Sequence, residues 1–527
     1  MCARFKGRSL SVINDLSVEE QIFLYQKTRE LKEAYKAGEG LDAFRLKNPE
    51  ASFYLLFMED STRTKESFRN AAAFHGGRVN LFDAAGSSFN KMESISDTVK
   101  MLVGYAPSST FIIRSRLEGL TTFLDDALGE YCVHHGIEKP VFINAGDGKH
   151  EHPTQELLDE FSFLEQKNWD RSAIHLAIVG DLFHGRTVHS KVNGLKIFDS
   201  VRVDLIAPKE LMMPDHYIEE MKYNGFSLRI FSSIEEYLSQ DDTAGIWYFT
   251  RLQLERMGDE ILEKADQLRK AVTFRSEFMP LLKSGTRFYH PLPRHKEHPT
   301  VPTFLDNTDL NGWDAQSVNG YFTRIIEIGL LNGLYDDEAE KVLPPVCTKA
   351  APSPSFVKEM PLNPEPKISD RKVGIKPVEN GIVIDHISCG PSIEAIWNNI
   401  DRIRKVLHLN VRSSHGVYHR NDPNFYKGII SLPDILSFSQ KEVKKLAAVS
   451  PGCTINFIRD SRVYKKLRLD MPPRVYGFSE ISCKNEACVS HASHHESVMT
   501  EFLQAGEQTF KCKYCEKPFH YDEIWDL

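Results

Sequence analysis

The chain has 527 residues, too many for one hydrophobic core and enough for about three or four domains. With 41% hydrophobic and 26% charged residues it is neither disordered nor collagen-like, and no apolar run approaches the ~20 residues that cross a bilayer. A net charge of −8 gives no general reason to expect nucleic-acid binding. The nine cysteines cannot all pair internally: five lie scattered (Cys2, Cys132, Cys347, Cys389, Cys453) and four crowd towards the C-terminus. The first residues lack the apolar stretch of a secretory leader, so a soluble, cytoplasmic, multidomain chain is expected.

The first half alternates strand and helix. Ser17 to Glu20 spells a capping box opening a helix towards Ala37, with Gly38 and Gly40 to end it. Ser52 to Met58 suits a buried strand, and Lys65 to His75 a helix stopped by Gly76 and Gly77. The theme repeats, with a strand at His175 to Val179, a helix at Thr187 to Phe198 and a strand at Val201 to Ala207. Ile246 to Phe249 and Arg287 to Tyr289 read as further strands, and Tyr321 to Leu334 as a closing helix. Such alternation predicts two α/β domains, each a doubly wound parallel sheet covered by helices, dividing near residue 155.

Val342 to Asp370 holds seven of the chain's 26 prolines, which neither a helix nor a central strand can absorb. This stretch predicts an extended connector between two folded parts. Beyond it, Gly381 to Ile387 reads as a strand, and Pro391 to Val406 and Gln440 to Val449 as helices. A small α+β domain is expected there, followed from about residue 471 by a β-rich cysteine module.

Ser61-Thr-Arg-Thr64 sits between a strand and a helix, where unpaired backbone N–H groups and the helix dipole favour an anion. The alternative reading is ordinary helix capping. Four more polar motifs also fall after strands: His152-Pro-Thr-Gln155, Gly180 to Ser190 (GDLFHGRTVHS), Arg251 with Gln253, and His290-Pro-Leu-Pro-Arg294. An open α/β sheet places its ligands at such strand ends. Gly180 to Gly185 lacks the G-x-G-x-x-G spacing of a dinucleotide fingerprint.

Taken in order, these motifs resemble the carbamoyltransferase superfamily over roughly residues 1–335, and specifically aspartate carbamoyltransferase. Arg251 with Gln253 and His290-Pro-Leu-Pro293 separate it from the ornithine branch, which typically shows H-C-L-P at the latter site. The resemblance implies that Ser61, Thr62, Arg63 and Thr64 hold the phosphate of carbamoyl phosphate, with Arg114 bridging phosphate and carbonyl oxygen. It places His152 and Gln155 on the carbamoyl group, and gives Arg186, Thr187, Arg251, Gln253 and the backbone at Pro291 and Leu292 to aspartate. Ser87 (or Ser88) and Lys91 match residues that enter from a neighbouring subunit, which implies a homotrimer or larger homo-oligomer. Met92 stands where the family usually has glycine. The implied reaction is attack of aspartate's neutral amine on the carbamoyl carbon, its oxyanion held by Thr64, Arg114 and His152, with Arg63 beside them and no cofactor. Two anionic substrates need several fixed cations, which these arginines and Lys91 supply. The alternatives are a carbamoyltransferase for another amino acid, such as ornithine, and a non-catalytic zinc-containing binding protein.

Cys483-x4-Cys488 and Cys512-x2-Cys515 form two close pairs, the pattern of a closed structural zinc site. His491, His494, His495 and His520 are nearby substitutes, and two disulfides or four unrelated thiols are the alternatives. Residues 471–527 hold five Lys/Arg against nine Asp/Glu, so a nucleic-acid role for the module is disfavoured. With Gly381 to Ile387, these cysteines resemble the regulatory chain that accompanies aspartate carbamoyltransferase. That resemblance implies nucleotide effectors bound by Asp385, His386, Lys427, Asn456 and Lys466. The expected division is a carbamoyl-phosphate domain (1–155), an aspartate domain (156–335), a linker (336–372), an effector domain (373–470) and a zinc domain (471–527).

Overall fold

The computed structural model describes residues 4–82, 93–253, 264–345, 355–362, 378–419, 425–433 and 435–527. The chain forms two compact units, Met1–Val346 and Cys347–Leu527.

In the first unit, helix α1 (Val18–Ala37) has the expected capping box of Ser17 and Glu20, and Gly38 closes it at φ +73°. Strand β1 (Ala51–Phe57) leads into α2 (Thr62–Phe74), followed by β2 (Arg78–Phe82) and α3 (Ile95–Val103). Then come β3 (Ser108–Ser115), α4 (Leu120–His135) and β4 (Val141–Asp147). All pairings are parallel in the order β2-β1-β3-β4, with Leu55 opposite both Leu81 and Ile112. Helix α5 (Pro153–Gln166) follows and is buried on every side from Pro153 to Leu164.

The second sheet holds β5 (Ile174–Val179), β6 (Val201–Ile206), β7 (Ser227–Phe231), β8 (Ile246–Phe249) and β9 (Arg287–Tyr289). It is again parallel, in the order β7-β6-β5-β8-β9. Strand order reverses between β1 and β3 in one sheet and between β5 and β8 in the other. Those reversals open crevices at the carboxyl ends of the strands.

Thr187 to Phe198 keeps a right-handed path but divides into α6 (Arg186–His189), α7 (Lys191–Gly194) and a 3-10 turn (Leu195–Ile197). At Gly194 an added Cβ would run into the Glu156 carboxylate, so the end of α7 packs directly against α5. Helices α8 (Asp215–Tyr223), α9 (Ile234–Leu238) and α10 (Ala265–Val272) complete the second layer. The closing helix α11 (Trp313–Leu331) starts eight residues before the expected Tyr321. Its first turns bury the polar Gln316 and Asn319, which hides the apolar period there. Residues Asp336–Val342, assigned above to the linker, form α12 and bury Ala339.

The second unit carries β10 (Val357–Glu359), β11 (Gly381–Gly390), α13 (Ile393–Val406), β12 (Ser414–His419), β13 (Tyr426–Pro433), α14 (Gln440–Val449), β14 (Thr454–Arg459) and β15 (Arg462–Leu469). Its strands form an antiparallel sheet in the order β10-β15-β14-β11-β13-β12. Ile382 and Ile384 of β11 and Ile396, Ile400 and Ile403 of α13 are buried in its core. A second antiparallel sheet follows: β16 (Arg474–Tyr476), β17 (Glu501–Gln504), β18 (Thr509–Cys512) and β19 (Pro518–His520). Among the described residues, no helix is long and apolar enough to cross a membrane.

Candidate active site and metal centre

A cavity of about 630 Å³ lies at the carboxyl ends of both parallel sheets. Ser61 to Thr64 enter it from the β1–α2 turn, Arg114 from the end of β3, and His152 and Gln155 from the start of α5. From the second sheet come Arg186 and Thr187 after β5, Arg251 and Gln253 after β8, and Pro291 and Leu292 after β9. Ser87, Ser88, Lys91 and Met92 lie outside the described residues.

Ser61 is the N-cap of α2 by position, yet its side chain makes no capping hydrogen bond, and the first turn carries no acidic residue. The positive helix end therefore faces the cavity without a carboxylate of its own turn. The capping alternative for Ser61 fails on that geometry.

Three charged or polar groups converge on Gly146. A Cβ there would lie 3.0 Å from Arg114 Nη1, 3.2 Å from Arg186 Cζ and 3.2 Å from His152 Cδ2. With φ at +110°, the position also demands glycine for its backbone. Arg114 donates to the Ala145 carbonyl at 3.0 Å, and its Nη2 lies 3.4 Å from Glu59 Oε2. Arg186 donates to the same Glu59 oxygen from both Nη1 (3.2 Å) and Nη2 (3.1 Å), and to the Gly148 carbonyl at 2.8 Å. Glu59 thus bridges an arginine of the first sheet and one of the second.

Burial holds His152 well below the ordinary imidazole range, helped by Arg114, Arg186 and Arg324. It is therefore neutral at physiological pH, with a single N–H to donate. His290 is pushed down to about 3 by burial and by Arg294, Arg63 and Arg251, and its Nδ1 accepts from the Leu292 backbone N–H at 2.7 Å. The Gln253 backbone N–H donates to Asp181 Oδ2 at 3.2 Å, and its Nε2 donates to the His184 carbonyl at 3.4 Å. The lining also includes His184 of the Gly180–Ser190 motif, and Glu59, Gln316 and Arg324, to which no sequence motif gave a role. Five arginines (63, 114, 186, 251, 324) face three carboxylates (Glu59, Asp60, Glu66), an arrangement that favours anions.

In the second unit, the Sγ atoms of Cys483, Cys488, Cys512 and Cys515 all lie within 4.8 Å of one another and are buried. Cys483 and Cys515 are 3.7 Å apart and Cys488 and Cys512 3.8 Å, far beyond a disulfide bond. Four thiolates at about 2.3 Å around one tetrahedral zinc are separated by about 3.8 Å, so the set fits structural zinc. Among the described residues no histidine joins this cluster. The His494 ring instead meets the Glu486 carbonyl at 2.6 Å.

The five effector candidates gather on one sheet. Lys427 Nζ donates to Asp385 at 2.9 Å, and His386 Nδ1 lies 3.3 Å from Thr454 Oγ1. Burial raises the Asp385 carboxyl, but Lys427 and His386 beside it bring it below its ordinary value. Asn456 pairs with Val383 on one side and Lys466 on the other, so it lies next along the strands from Asp385.

Residues 8–165 match the carbamoyl-P binding domain of the aspartate/ornithine carbamoyltransferase family, and residues 172–314 its Asp/Orn binding domain. Residues 373–470 match the allosteric domain of the aspartate carbamoyltransferase regulatory chain, and residues 473–525 its metal binding domain. The protein PyrBI of Thermotoga maritima is 53% identical over 99% of both chains. PyrBI of Treponema denticola is 47% identical over 99% of this chain and 98% of that one. Among solved structures, Trypanosoma cruzi aspartate transcarbamoylase in complex with N-(phosphonacetyl)-L-aspartic acid matches with a TM-score of 0.53 and 29% identity. That match covers 62% of this chain and 96% of the other.

Proposed function

We propose that this chain, which belongs to the aspartate carbamoyltransferase family and joins catalytic and regulatory-chain parts in one polypeptide, transfers the carbamoyl group of carbamoyl phosphate to the α-amine of L-aspartate. The products are N-carbamoyl-L-aspartate and phosphate, a step of pyrimidine biosynthesis. The observation that carries the reading is the meeting around Gly146 of Arg114 and His152 from the first sheet with Arg186 from the second. Two anionic reactants must be held within bonding distance, and cations contributed by both sheets suit that task.

In this reading the phosphate rests on the α2 N-terminus among Ser61, Thr62, Arg63 and Thr64, with Ser87 and Lys91 of a neighbouring subunit completing it. Thr64, Arg114 and neutral His152 donate to the carbamoyl oxygen as it gains charge at the tetrahedral stage. A neutral imidazole contributes an N–H here without adding a competing cation. Gln155 meets the carbamoyl amine, while Arg186, Thr187, Arg251, Gln253 and the backbone of Pro291 and Leu292 hold aspartate. The departing phosphate accepts the amine's proton, so no side-chain base is required. Zinc serves the C-terminal module as a structural ion. Asp385, His386, Lys427, Asn456 and Lys466 form the proposed nucleotide site, and a homotrimer or larger assembly follows from the shared loop. The cytoplasm is the proposed compartment, since a four-thiolate metal site suits reducing conditions.

The test is a ureido-product assay with carbamoyl phosphate and either aspartate or ornithine. Carbamoylation of aspartate should exceed that of ornithine at least a hundredfold. Equal or reversed rates reject the assignment. The same aspartate saturation curve, repeated with CTP or ATP, tests the effector site.

A further inference from the structure

Directly behind the cavity lies a cluster of buried charge that none of the proposed substrate contacts uses. Glu156, Asp159 and Glu160 of α5 and Lys191 of α7 have side chains with 0% exposure. Lys191 Nζ donates to Glu156 Oε2 at 2.6 Å and to Asp159 Oδ2 at 2.9 Å. Burial lifts the Glu160 carboxyl well above its ordinary range, reinforced by Glu156 beside it. The other oxygen of Asp159 faces the site. Asp159 Oδ1 accepts from Gln155 Nε2 at 2.8 Å and from Gln316 Nε2 at 2.6 Å. Gln316 Oε1 in turn accepts the backbone N–H of His290 at 2.9 Å.

All of these bonds to Asp159 come from donors, and an amide can approach a carboxylate only through its N–H end. Gln155 lines the cavity, so with its nitrogen tied to Asp159 its carbonyl oxygen is the end left for a ligand. Gln316 is fixed likewise, and it holds the backbone just before Pro291 and Leu292. One carboxylate therefore sets the orientation of a side chain from the first half of the site and of a backbone segment from the second.

Resting on the reading of the cavity as a carbamoyl-phosphate site, we propose that Asp159 is a positioning residue that makes the site selective for the carbamoyl amine, by holding Gln155 with its Oε1 presented as an acceptor to that NH2 group. A donor carrying methyl in place of NH2 leaves this buried acceptor unpaired, and sites built on a hydrogen bond reject such analogues strongly. Lys191 makes the orientation robust. In Asp159→Asn, the ammonium claims the new amide's oxygen and turns its NH2 towards Gln155. Gln155 must then flip and present N–H to the substrate amine, donor against donor.

The experiment compares kcat/KM for carbamoyl phosphate and acetyl phosphate, each with aspartate, using full-length protein. Because it is a ratio, a uniform loss of folded enzyme cancels. Wild type should prefer carbamoyl phosphate by at least a hundredfold. D159N should lower that preference by tenfold or more while inhibition by inorganic phosphate, which has no amine, stays within threefold. Adding Lys191→Met frees the asparagine to turn its oxygen back to Gln155, and should restore part of the preference. A preference within threefold of wild type in folded D159N overturns the proposal, as does a fall that Lys191→Met leaves unrelieved. If D159N alone does not fold, Asp159→Ala, which removes the acceptor that holds the Gln155 N–H, decides on the same threefold criterion. If neither folds, Asp159 is a folding determinant and the proposal is equally overturned. Wild type inactive with carbamoyl phosphate would instead defeat the functional reading itself.

Discussion

Gly146→Ala is the smallest change that should disable the site, because one methyl group meets three of its residues at once. The new Cβ would stand 3.0 Å from Arg114 Nη1 and 3.2 Å from both Arg186 Cζ and His152 Cδ2. Unstrained contacts of this kind begin near about 3.5 Å, so Arg114 must withdraw by about 0.5 Å and the other two by about 0.3 Å. Arg114 is tied to the Ala145 carbonyl and Arg186 to Glu59 and Gly148, so neither retreats without breaking a hydrogen bond. Since misplacement by about 1 Å can cost a hundredfold in rate, displacing three groups together should lower kcat/KM for aspartate about thirtyfold, or ~2 kcal/mol. The backbone at φ +110° adds ~1–3 kcal/mol of strain to folding, which a thermal melt reads as a drop of a few degrees. Gly136→Ala is the control. That residue has φ +65° with nothing within 4 Å of the added Cβ, so it shares the backbone strain without touching the site. Steady-state ureido-product assays should find Gly136→Ala near wild type. The reasoning is refuted if Gly146→Ala keeps more than a third of wild-type kcat/KM, or if both variants lose activity equally.

Arg114→Ala should lower kcat by roughly a hundred- to a thousandfold, the usual loss of an oxyanion donor, and near-normal turnover would remove it from the mechanism. Metal analysis should return about one zinc per chain, and Cys512→Ser should lose the metal and unfold the β16–β19 sheet; a metal-free, fully folded module would refute the zinc assignment. Glu327 is pushed up to about 8 by burial, so the folded chain keeps a proton there that the unfolded chain releases above its ordinary value of 4.5. Its contribution to stability is full below 4.5 and is lost as pH rises to about 8, at up to ~1.4 kcal/mol per pH unit. Denaturant titrations from pH 5 to 9 should therefore find Glu327→Gln gaining on wild type up to pH 8 and level beyond it. A pH-independent difference would contradict the buried protonated acid.

The sequence was most informative where one local rule acts alone. The capping box at Ser17 and the β-branched and aromatic run Ile246–Phe249 appear where propensity and period place them. The four cysteines were legible for a similar reason, since thiolate chemistry and spacing need no tertiary knowledge. Strands β2 and β7 left no clear period because they are sheet edges with mixed exposure. The period places the start of α11 late, at Tyr321, because Gln316 and Asn319, polar by type, are turned inward to satisfy buried partners. Type and burial part company there, and a period count cannot see it.

The same limit explains which parts of the site stayed hidden. Arginines and motif histidines announce themselves because an anion site needs cations at strand ends. Glu59, Asp159 and Gln316 carry no such signature, and each acts by orienting another residue. Glu59 would read as a surface acid, yet it joins Arg114 to Arg186 across the two sheets. Asp159 lies within a helix so uniformly buried that its sequence gives no face to single it out. Its partners come from 32 and 157 residues along the chain, Lys191 and Gln316. Only the fold makes such distant residues neighbours. Substrate-facing groups are thus recoverable from chemistry and spacing, whereas the groups that aim them are recoverable only from hydrogen-bond direction in three dimensions. A variant series limited to sequence motifs would test binding at this site and leave its selectivity unexamined, because the donor and acceptor ends of Gln155 are fixed from behind.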